Sequence, residues 1–193
     1  MKPKILLIGG GGHCKSVIDV IEAEGTYTIA GIIDQKEFIG QKVLGYEIIG
    51  CDDDLEELFI HSKHAVITVG QIKSPDIRIK LFNTLKSIGY QLPAIISPFA
   101  YISKYSTIDE GTIIMHHALI NVGVKIGRNC IINSKALIEH DATVEDHCHI
   151  STGAIVNGGT VVGQGTFFGS NAVSKEYAIV AEKSFIKAGS VVK

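Results

Sequence analysis

The sequence predicts an α/β domain followed by a parallel β-helix, with residues 1–92 in the first and residues 93–193 in the second. Two observations lead to this prediction. In the first part, short runs of branched apolar residues alternate with segments of helical periodicity, which is typical of a parallel sheet covered by helices. In the second part, a branched apolar residue returns every six positions, which is the pattern of a stacked hexapeptide solenoid.

The first strand and the first helix follow from residues 4–25. The run KILLIG has the continuous Ile and Leu content of a buried strand. The next segment, HCKSVIDVIEAEG, places Val17, Val20 and Ile21 at helical spacing. Gly25 is expected to end this helix, because glycine adopts the left-handed backbone that closes helices.

Two more strands and a second helix complete the first domain. The strands are TIAGIID, from residue 28, and AVITVG, from residue 65. The helix SPDIRIKLFNTLKSIG has Ser74 as its N-cap and Pro75 at the first helical position, and it stops at Gly89.

The second domain is defined by its six-residue period. Three hexads make one coil of such a solenoid, so residues 18 apart should stack at the strand spacing of about 4.8 Å. Small side chains stand two residues before most of the repeated positions, and Cys130 and Cys148 are two of them. Ser174 falls out of step, and the period resumes at Val180. The uninterrupted series is Ile96, Ile102, Ile108, Ile114, Ile120, Ile126, Ile132, Ile138, Val144, Ile150, Val156, Val162 and Phe168.

Composition limits the classes of function. A net charge of −2 argues against nucleic acid as a partner, and 46% hydrophobic content argues against disorder. Four scattered cysteines without a C-x-x-C pair favour reduced thiols and a cytoplasmic location. The apolar run Ile5–Ile8 is too short for a membrane span, so no membrane partner is expected.

A histidine-rich stretch, ALIEHDATVEDHCHISTGA, raises three possibilities: a metal site, a catalytic site or surface decoration. His149 stands between the inward Cys148 and Ile150, so strand alternation directs it outward. His140 lies near a corner of the coil. A metal site needs three or four converging donors, whereas these histidines fall on two consecutive faces, so no metal is expected.

These motifs also carry a resemblance that covers most of the chain. IGGGGH, IIDQ and INSKALIEHD followed by CHISTGA resemble the sugar O- and N-acetyltransferases with hexapeptide repeats, including sialic acid O-acetyltransferases and UDP-4-amino-sugar N-acetyltransferases. The resemblance implies a Rossmann-like α/β N-terminal domain that binds the acceptor's nucleotide or sugar. It also implies a left-handed β-helix that trimerises and binds acetyl-CoA between subunits.

Three residues are implied as catalytic. His140 matches the family's general base, which suits a neutral imidazole near pH 7. Asp141 matches the acid that orients this imidazole, and Asn133 is implied to position the base. His149 matches a second histidine near the thioester, where it or a backbone N–H can donate to the developing oxyanion.

The resemblance also assigns residues to the two substrates. For acetyl-CoA it implies His149, Gly158, Ser170, Lys187 and Ala188, although the chain lacks the V-x-G-x-P-A-K-like tail of many relatives. The glycine-rich turn departs from the dinucleotide fingerprint at Cys14 but can still present N–H groups to a phosphate. Gln35 replaces a second acid that UDP-specific members often have. The residues implied for the acceptor are Gly11, Gly12, His13, Asp34, Gln35 and Gly70.

The expected function is acetyl-CoA-dependent N-acetylation of a nucleotide-linked amino sugar in bacterial glycan biosynthesis. O-acetylation of sialic acid or a related nonulosonic sugar needs the same base and stays open. An NAD-dependent oxidoreductase is disfavoured by the broken fingerprint, and a non-catalytic scaffold by the acid beside His140. A homotrimer is expected, because Ile131, Ile155, Val161 and Phe167 would be exposed on a monomer.

Overall fold

The computed structural model describes residues 2–193, which form two compact units. The first unit contains the residues up to Gly70 together with Ile77–Pro93. The second contains Gln71–Asp76 together with Ala94–Lys193. The segment Gln71–Asp76 therefore packs with the coils although it lies within the first half of the sequence, and no sequence pattern indicated this.

The first unit is built on a five-stranded sheet in the order β3-β4-β2-β1-β5. The strands β4, β2, β1 and β5 are parallel, and β3 pairs antiparallel with β4. The β3–β4 hairpin at the sheet edge was not predicted, because its strands are short and lack a long apolar run. The strands are β1 (Lys4–Ile8), β2 (Thr28–Ile33), β3 (Lys42–Val43), β4 (Tyr46–Gly50) and β5 (His64–Ile67).

Three α-helices accompany these strands in the described residues: α1 (Gly12–Glu24), α2 (Leu55–Leu58) and α3 (Asp76–Ile88). Gly25 closes α1 with a φ of 70°, as predicted. Ser74 Oγ accepts the Asp76 N–H at 3.1 Å, as expected of an N-cap, and α3 begins at Asp76, one residue later than predicted. Within residues 2–193, each helix falls short of the length and apolar character that a bilayer span requires.

The second unit stacks two-residue strands into three parallel sheets, as expected for a left-handed β-helix. We call these sheets faces 1, 2 and 3. Face 1 contains β6 (Ile95–Ile96), β9 (Ile113–Ile114), β12 (Ile131–Ile132), β15 (His149–Ile150), β18 (Phe167–Phe168) and β21 (Phe185–Ile186). Face 2 contains β7 (Tyr101–Ile102), β10 (Leu119–Ile120), β13 (Leu137–Ile138), β16 (Ile155–Val156), β19 (Val173–Ser174) and β22 (Val191–Val192). Face 3 contains β8 (Thr107–Ile108), β11 (Lys125–Ile126), β14 (Thr143–Val144), β17 (Val161–Val162) and β20 (Ile179–Val180).

The predicted hexad positions form the core of the coils. Those from Ile114 to Phe168 are at most 1% exposed and belong to one apolar cluster. Ser174 corrects the sequence interpretation, because it keeps the register and points inward. Its hydroxyl lies 3.0 Å from Thr160 Oγ1 and accepts the Asn157 N–H at 2.8 Å. A buried hydroxyl with partners replaces an aliphatic side chain here without breaking the period.

A left-handed backbone residue turns the chain at a regular corner of the coil. Glycine and asparagine are the residue types that adopt this conformation with the least strain, and aspartate and histidine also tolerate it. The residues with positive φ recur every six positions: Gly111, His117, Gly123, Asn129, Lys135, Asp141, His147, Gly153, Gly159, Gly165, Asn171, Tyr177, Lys183 and Gly189.

Candidate active site

The pair His140–Asp141 occupies the corner between β13 of face 2 and β14 of face 3. Backbone hydrogen bonds connect this corner to the corners of the coils above and below it. The Asp141 N–H donates to Val122 O at 3.0 Å, and the Gly159 N–H donates to His140 O at 2.9 Å. The His140 and Asp141 side chains remain 51% and 73% exposed. The corner thus holds the backbone firmly while both side chains face outward.

Asp141 holds the imidazole of His140 in one orientation. Its Oδ2 lies 3.0 Å from Nδ1 of His140. A carboxylate beside Nδ1 favours the tautomer that carries its proton there, which leaves the lone pair on Nε2. The hydrogen bond that His140 Nδ1–H donates to Asp141 is also the main reason that the pKa of His140 is raised above its ordinary value.

Glycines in the neighbouring coils make room for both side chains. A Cβ atom at Gly123 would lie 2.5 Å from Oδ1 of Asp141, and one at Gly158 would lie 2.7 Å from Nε2 of His140. His140 therefore leans over Gly158, with Nε2 facing the backbone of the next coil. Gly158 has an ordinary φ, so its small size serves this close approach and not a turn. Sequence reasoning assigned Gly158 to acetyl-CoA and missed Gly123.

A second carboxylate stands beside the pair and was also missed. Glu139 Oε2 accepts from Asn121 Nδ2 at 2.8 Å and from the His140 N–H at 3.3 Å. The charge of Glu139 adds to the rise in the pKa of His140. The 18-residue spacing of Asn121 and Glu139 was the available signal, because it places them in one column of the coil.

His149 is directed outward from the coil, as predicted, but it is only 7% exposed, so the expectation of a surface position was wrong. Its Nδ1 donates to the carbonyl oxygen of Gln71 at 2.5 Å. The ring of Phe167 packs edge-on against it, with centroids 5.2 Å apart. The segment Gln71–Asp76 covers this part of face 1, which strand alternation could not reveal.

Asn133 belongs to this buried cluster. Its Nδ2 donates to Nε2 of His149 at 3.2 Å. Both ring nitrogens of His149 are therefore engaged, and His149 holds a proton on Nδ1. The structure places Asn133 against His149, whereas the resemblance implied that it positions His140. The Nδ1–H of His149 is directed at the Gln71 carbonyl, whereas the resemblance implied that His149 or a backbone N–H donates to an oxyanion.

The other residues predicted for acetyl-CoA lie on a different corner, between faces 1 and 2. Ser170 is half-buried, with its hydroxyl 2.9 Å from that of Ser151. Lys187 and Ala188 are exposed in the last coil. A single chain thus does not bring them onto the corner of His140, and face 2 separates the two corners.

The first unit contains a cleft of about 530 Å³. Asp34 and Gln35, both predicted to contact the acceptor, line this cleft, together with two lysines, Lys36 and Lys80, and two further carboxylates, Asp52 and Asp53. The Asp34 carboxylate also closes the glycine-rich turn, since it accepts the N–H of Gly10 at 2.5 Å and of Gln35 at 2.7 Å. Sequence reasoning missed the two lysines, which follow no recognisable motif.

The glycines of the turn differ in what they do. Gly9 has a φ of 108°, and a Cβ atom there would meet Val69 at 2.5 Å, so the fold itself requires this glycine. Gly11 and Gly12 have open space around them at the start of α1. A Cβ atom at Gly70 would lie 3.8 Å from His13, so these two predicted acceptor residues are neighbours.

Among residues 2–193, no three His, Cys, Asp or Glu side chains are grouped so that they could hold a metal ion.

A solenoid of hexapeptide coils with an outward His–Asp pair is the arrangement expected of a hexapeptide-repeat acyltransferase. The PglD N-terminal domain family matches residues 4–85. No curated protein sequence matches the chain.

Solved structures of sugar acetyltransferases resemble the whole chain. The acetyltransferase domain of PglB from Neisseria gonorrhoeae has 29% sequence identity and a TM-score of 0.92, over 100% of this chain and 92% of that one. The same domain in complex with acetyl coenzyme A has 28% identity and a TM-score of 0.91, over 100% and 93% of the two chains. PerB from Caulobacter crescentus, in complex with CoA and GDP-perosamine, has 29% identity and a TM-score of 0.91, over 98% and 88%. The predicted fold and the predicted resemblance to sugar acetyltransferases with hexapeptide repeats are confirmed, and an acyltransferase is supported.

Proposed function

We propose that this protein transfers the acetyl group of acetyl-CoA to the amine of a nucleotide-linked amino sugar. The observation that carries the proposal is the His140–Asp141 pair, whose Nε2 leans over Gly158 with its lone pair available. The likeness to PerB, a protein solved with CoA and GDP-perosamine, supports an amine acceptor over the hydroxyl of a sialic acid. This pair argues against an inert scaffold, and the departure from the dinucleotide fingerprint at Cys14 argues against hydride transfer.

The chemistry follows from the position of Nε2. The neutral amine attacks the thioester carbonyl, a C–N bond forms, and Nε2 of His140 takes a proton from the nitrogen. The C–S bond then breaks, and the departing thiolate receives a proton from the imidazolium. The Asp141 carboxylate stabilises this imidazolium, since it lies 3.0 Å from Nδ1. The products are an N-acetylated sugar and free CoA.

The acceptor's nucleotide fits the properties of the cleft in the first unit. Lys36 and Lys80 can pair with phosphates, in a cleft that Asp34, Asp52 and Asp53 also line. The uncrowded N-terminus of α1 at Gly11 and Gly12 offers backbone N–H groups to a phosphate. Gln35 provides an amide that can donate to and accept from a nucleobase. We also propose that the acetylated product is used in bacterial glycan biosynthesis.

A homotrimer is also part of the proposal. The outward residues of face 2 are apolar along its whole length, and the two at its ends, Tyr101 and Val191, are mostly exposed. This apolar stripe is suited to burial against another copy. Ile131, which was expected to be exposed, is already buried within the chain. A threefold arrangement along face 2 would bring the His140 corner of one copy toward the Ser170 corner of the next.

We propose a cytoplasmic location because the cysteine thiols are free. In the described residues the four cysteines are free, and burial raises the pKa of the Cys14 thiol to about 11. Such thiols fit a reducing compartment.

The test is a substrate panel. Purified protein is incubated with acetyl-CoA and with UDP-, GDP- and CMP-linked amino sugars and sialic acids, while free thiol release and product mass are measured. We expect acetylation of a UDP- or GDP-linked amino sugar. Acetylation restricted to free or CMP-linked sialic acid would show that the O-acetylation alternative is correct.

A further inference from the structure

The cleft of the first unit follows the carboxyl ends of three neighbouring strands. The strands β4, β2 and β1 are adjacent and parallel, so the residues that follow them lie at one edge of the sheet. These residues are the Asp52–Asp53 pair after β4, Asp34 after β2 and Gly9 after β1, and all of them line the cleft. Two strand spacings amount to roughly 10 Å, which is enough for a nucleoside to extend from the glycine-rich turn to the aspartate pair.

The carboxylates of Asp52 and Asp53 are not used by the turn that carries them. Asp54 closes this turn, because its Oδ2 accepts the Cys51 N–H at 2.8 Å. Asp52 and Asp53 are exposed, and within residues 2–193 neither carboxylate takes part in a hydrogen bond or an ion pair. The β4 end of the cleft therefore presents hydrogen-bond acceptors that the fold leaves available.

Apolar side chains form much of the remaining lining of the cleft. Ile77 stands out among them, because it is 63% exposed in the first turn of α3 and adds little to the core. The apolar lining residues are Ile8, Ile33, Val69, Ile77 and Leu81. A nucleobase needs an apolar surface for its faces and a few polar groups for its edge, and the cleft of about 530 Å³ offers both.

The charges of the cleft orient a nucleotide within it. The aspartate pair repels a diphosphate, whereas the N-terminus of α1 beside the glycine-rich turn attracts one. The phosphates therefore lie toward the turn, and the base lies toward Asp52 and Asp53. This inference rests on the proposed function, which assigns the acceptor's nucleotide to this cleft.

An ionised carboxylate accepts hydrogen bonds and donates none, so it selects a base by the donors on that base's edge. Guanine has two adjacent donors, N1–H and the 2-amino group, which can pair with both oxygens of one carboxylate. Uracil has one N–H between two carbonyl oxygens, and adenine and cytosine place an acceptor nitrogen beside their amino group. We propose that the acceptor is linked to guanosine diphosphate and that the Asp52–Asp53 pair binds the N1–H and 2-amino groups of guanine.

The test uses nucleoside diphosphates alone, so it needs neither acetyl-CoA nor the sugar. Calorimetric titrations measure the Kd of GDP, UDP, inosine diphosphate and xanthosine diphosphate for the wild type, Asp52→Asn and Asp53→Asn. The base of inosine lacks the 2-amino group of guanine, and xanthine has a carbonyl oxygen in its place. Glu47→Gln is the matched control, because Glu47 is an exposed acid on β4 outside the cleft.

We expect the wild type to bind GDP at least about tenfold more tightly than UDP or inosine diphosphate, as for loss of one hydrogen bond to a charged acceptor. This preference should disappear in one of the two aspartate variants. That variant should bind xanthosine diphosphate more tightly than GDP, because an asparagine amide can donate to the C2 oxygen of xanthine. Glu47→Gln should keep the wild-type preference. The melting temperatures should stay similar, since the replaced side chains are exposed.

Equal affinity of the wild type for GDP and inosine diphosphate would overturn the inference, as would an unchanged preference in both aspartate variants. Tightest binding of UDP would overturn it while leaving the proposed function intact. Failure to bind any of the four diphosphates would overturn both the inference and the assignment of the nucleotide to this cleft. The proposed N-acetylation itself fails only if the substrate panel yields no acetylated amino sugar.

Discussion

Oδ2 of Asp141 lies 3.0 Å from Nδ1 of His140, and this contact determines which nitrogen of the imidazole can act as a base. The Nδ1 atom is occupied, so Nε2, above Gly158, is the nitrogen available for the proposed proton transfer. The two residues are adjacent in sequence, yet their geometry depends on glycines in the coils on both sides.

Replacement of His140 should remove the base without disturbing the coil. We expect His140→Ala to lower kcat by roughly 10²–10⁴-fold with little change in melting temperature, because the side chain is exposed and outside the core. The control is His117→Asn, at another left-handed corner, which should remain active. Full activity in folded His140→Ala would show that this catalytic assignment is wrong.

The pH dependence should report on Asp141. The free base is the active form of His140, so the rate should rise with pH through the pKa of this residue, which Asp141 raises. In Asp141→Asn the pKa falls, and the midpoint of the rise should move to lower pH while the plateau kcat drops by about 10- to 100-fold. Rate profiles between pH 5 and pH 10 measure this. Asp146→Asn, which breaks the bridge to Arg128 at another corner, should leave the midpoint in place.

Gly158→Ala should act on the position of the His140 ring. The added methyl group would collide with a half-exposed side chain that can rotate away, so kcat should fall at least about tenfold with only a small loss of stability. Gly163→Ala is the contrasting variant, because its methyl group would meet the backbone N of Glu182 at 2.6 Å. Gly163→Ala should therefore lower the melting temperature more clearly than it lowers kcat. Equal kcat in Gly158→Ala and the wild type would contradict the close approach of His140.

His149 should matter mainly for stability. Truncation to alanine leaves the Gln71 carbonyl and the Asn133 amide without their partner in a buried region. We expect His149→Ala to lower the free energy of unfolding by about 2–4 kcal/mol in urea titrations. Asn133→Ala should lower the free energy of unfolding by a smaller amount, because it removes only the 3.2 Å hydrogen bond to Nε2 of His149. Wild-type stability together with a raised KM for acetyl-CoA would instead support the direct thioester contact implied by the sequence.

The apolar stripe of face 2 should hold the proposed trimer together. Ile155→Arg puts a charge in the middle of this stripe, and we expect it to yield monomers in light scattering and to lose activity. Lys125→Glu on face 3 is the control and should keep the wild-type mass. A wild type that is monomeric at micromolar concentration would rule out the trimer.

Much of the fold was predictable because local patterns have local causes. The six-residue period predicts which side chains point into the coil, since strand alternation and stacking act on every repeat alike. Gly25 and Ser74 predicted helix ends for the same reason, because the caps are made by neighbouring residues. The β3–β4 hairpin escaped prediction, since its short strands leave no long apolar run.

The coil register, its apolar columns and the acid beside His140 can all be read from the order of the amino acids. The surroundings of these residues are evident only in the folded chain. Gln71 reaches His149 across 78 positions, and the glycines beside His140 and Asp141 act from neighbouring coils, 18 positions away. This difference arises because a periodic pattern specifies the direction of a side chain. What covers that side chain, and how much room it has, depends on chain segments that meet only after folding.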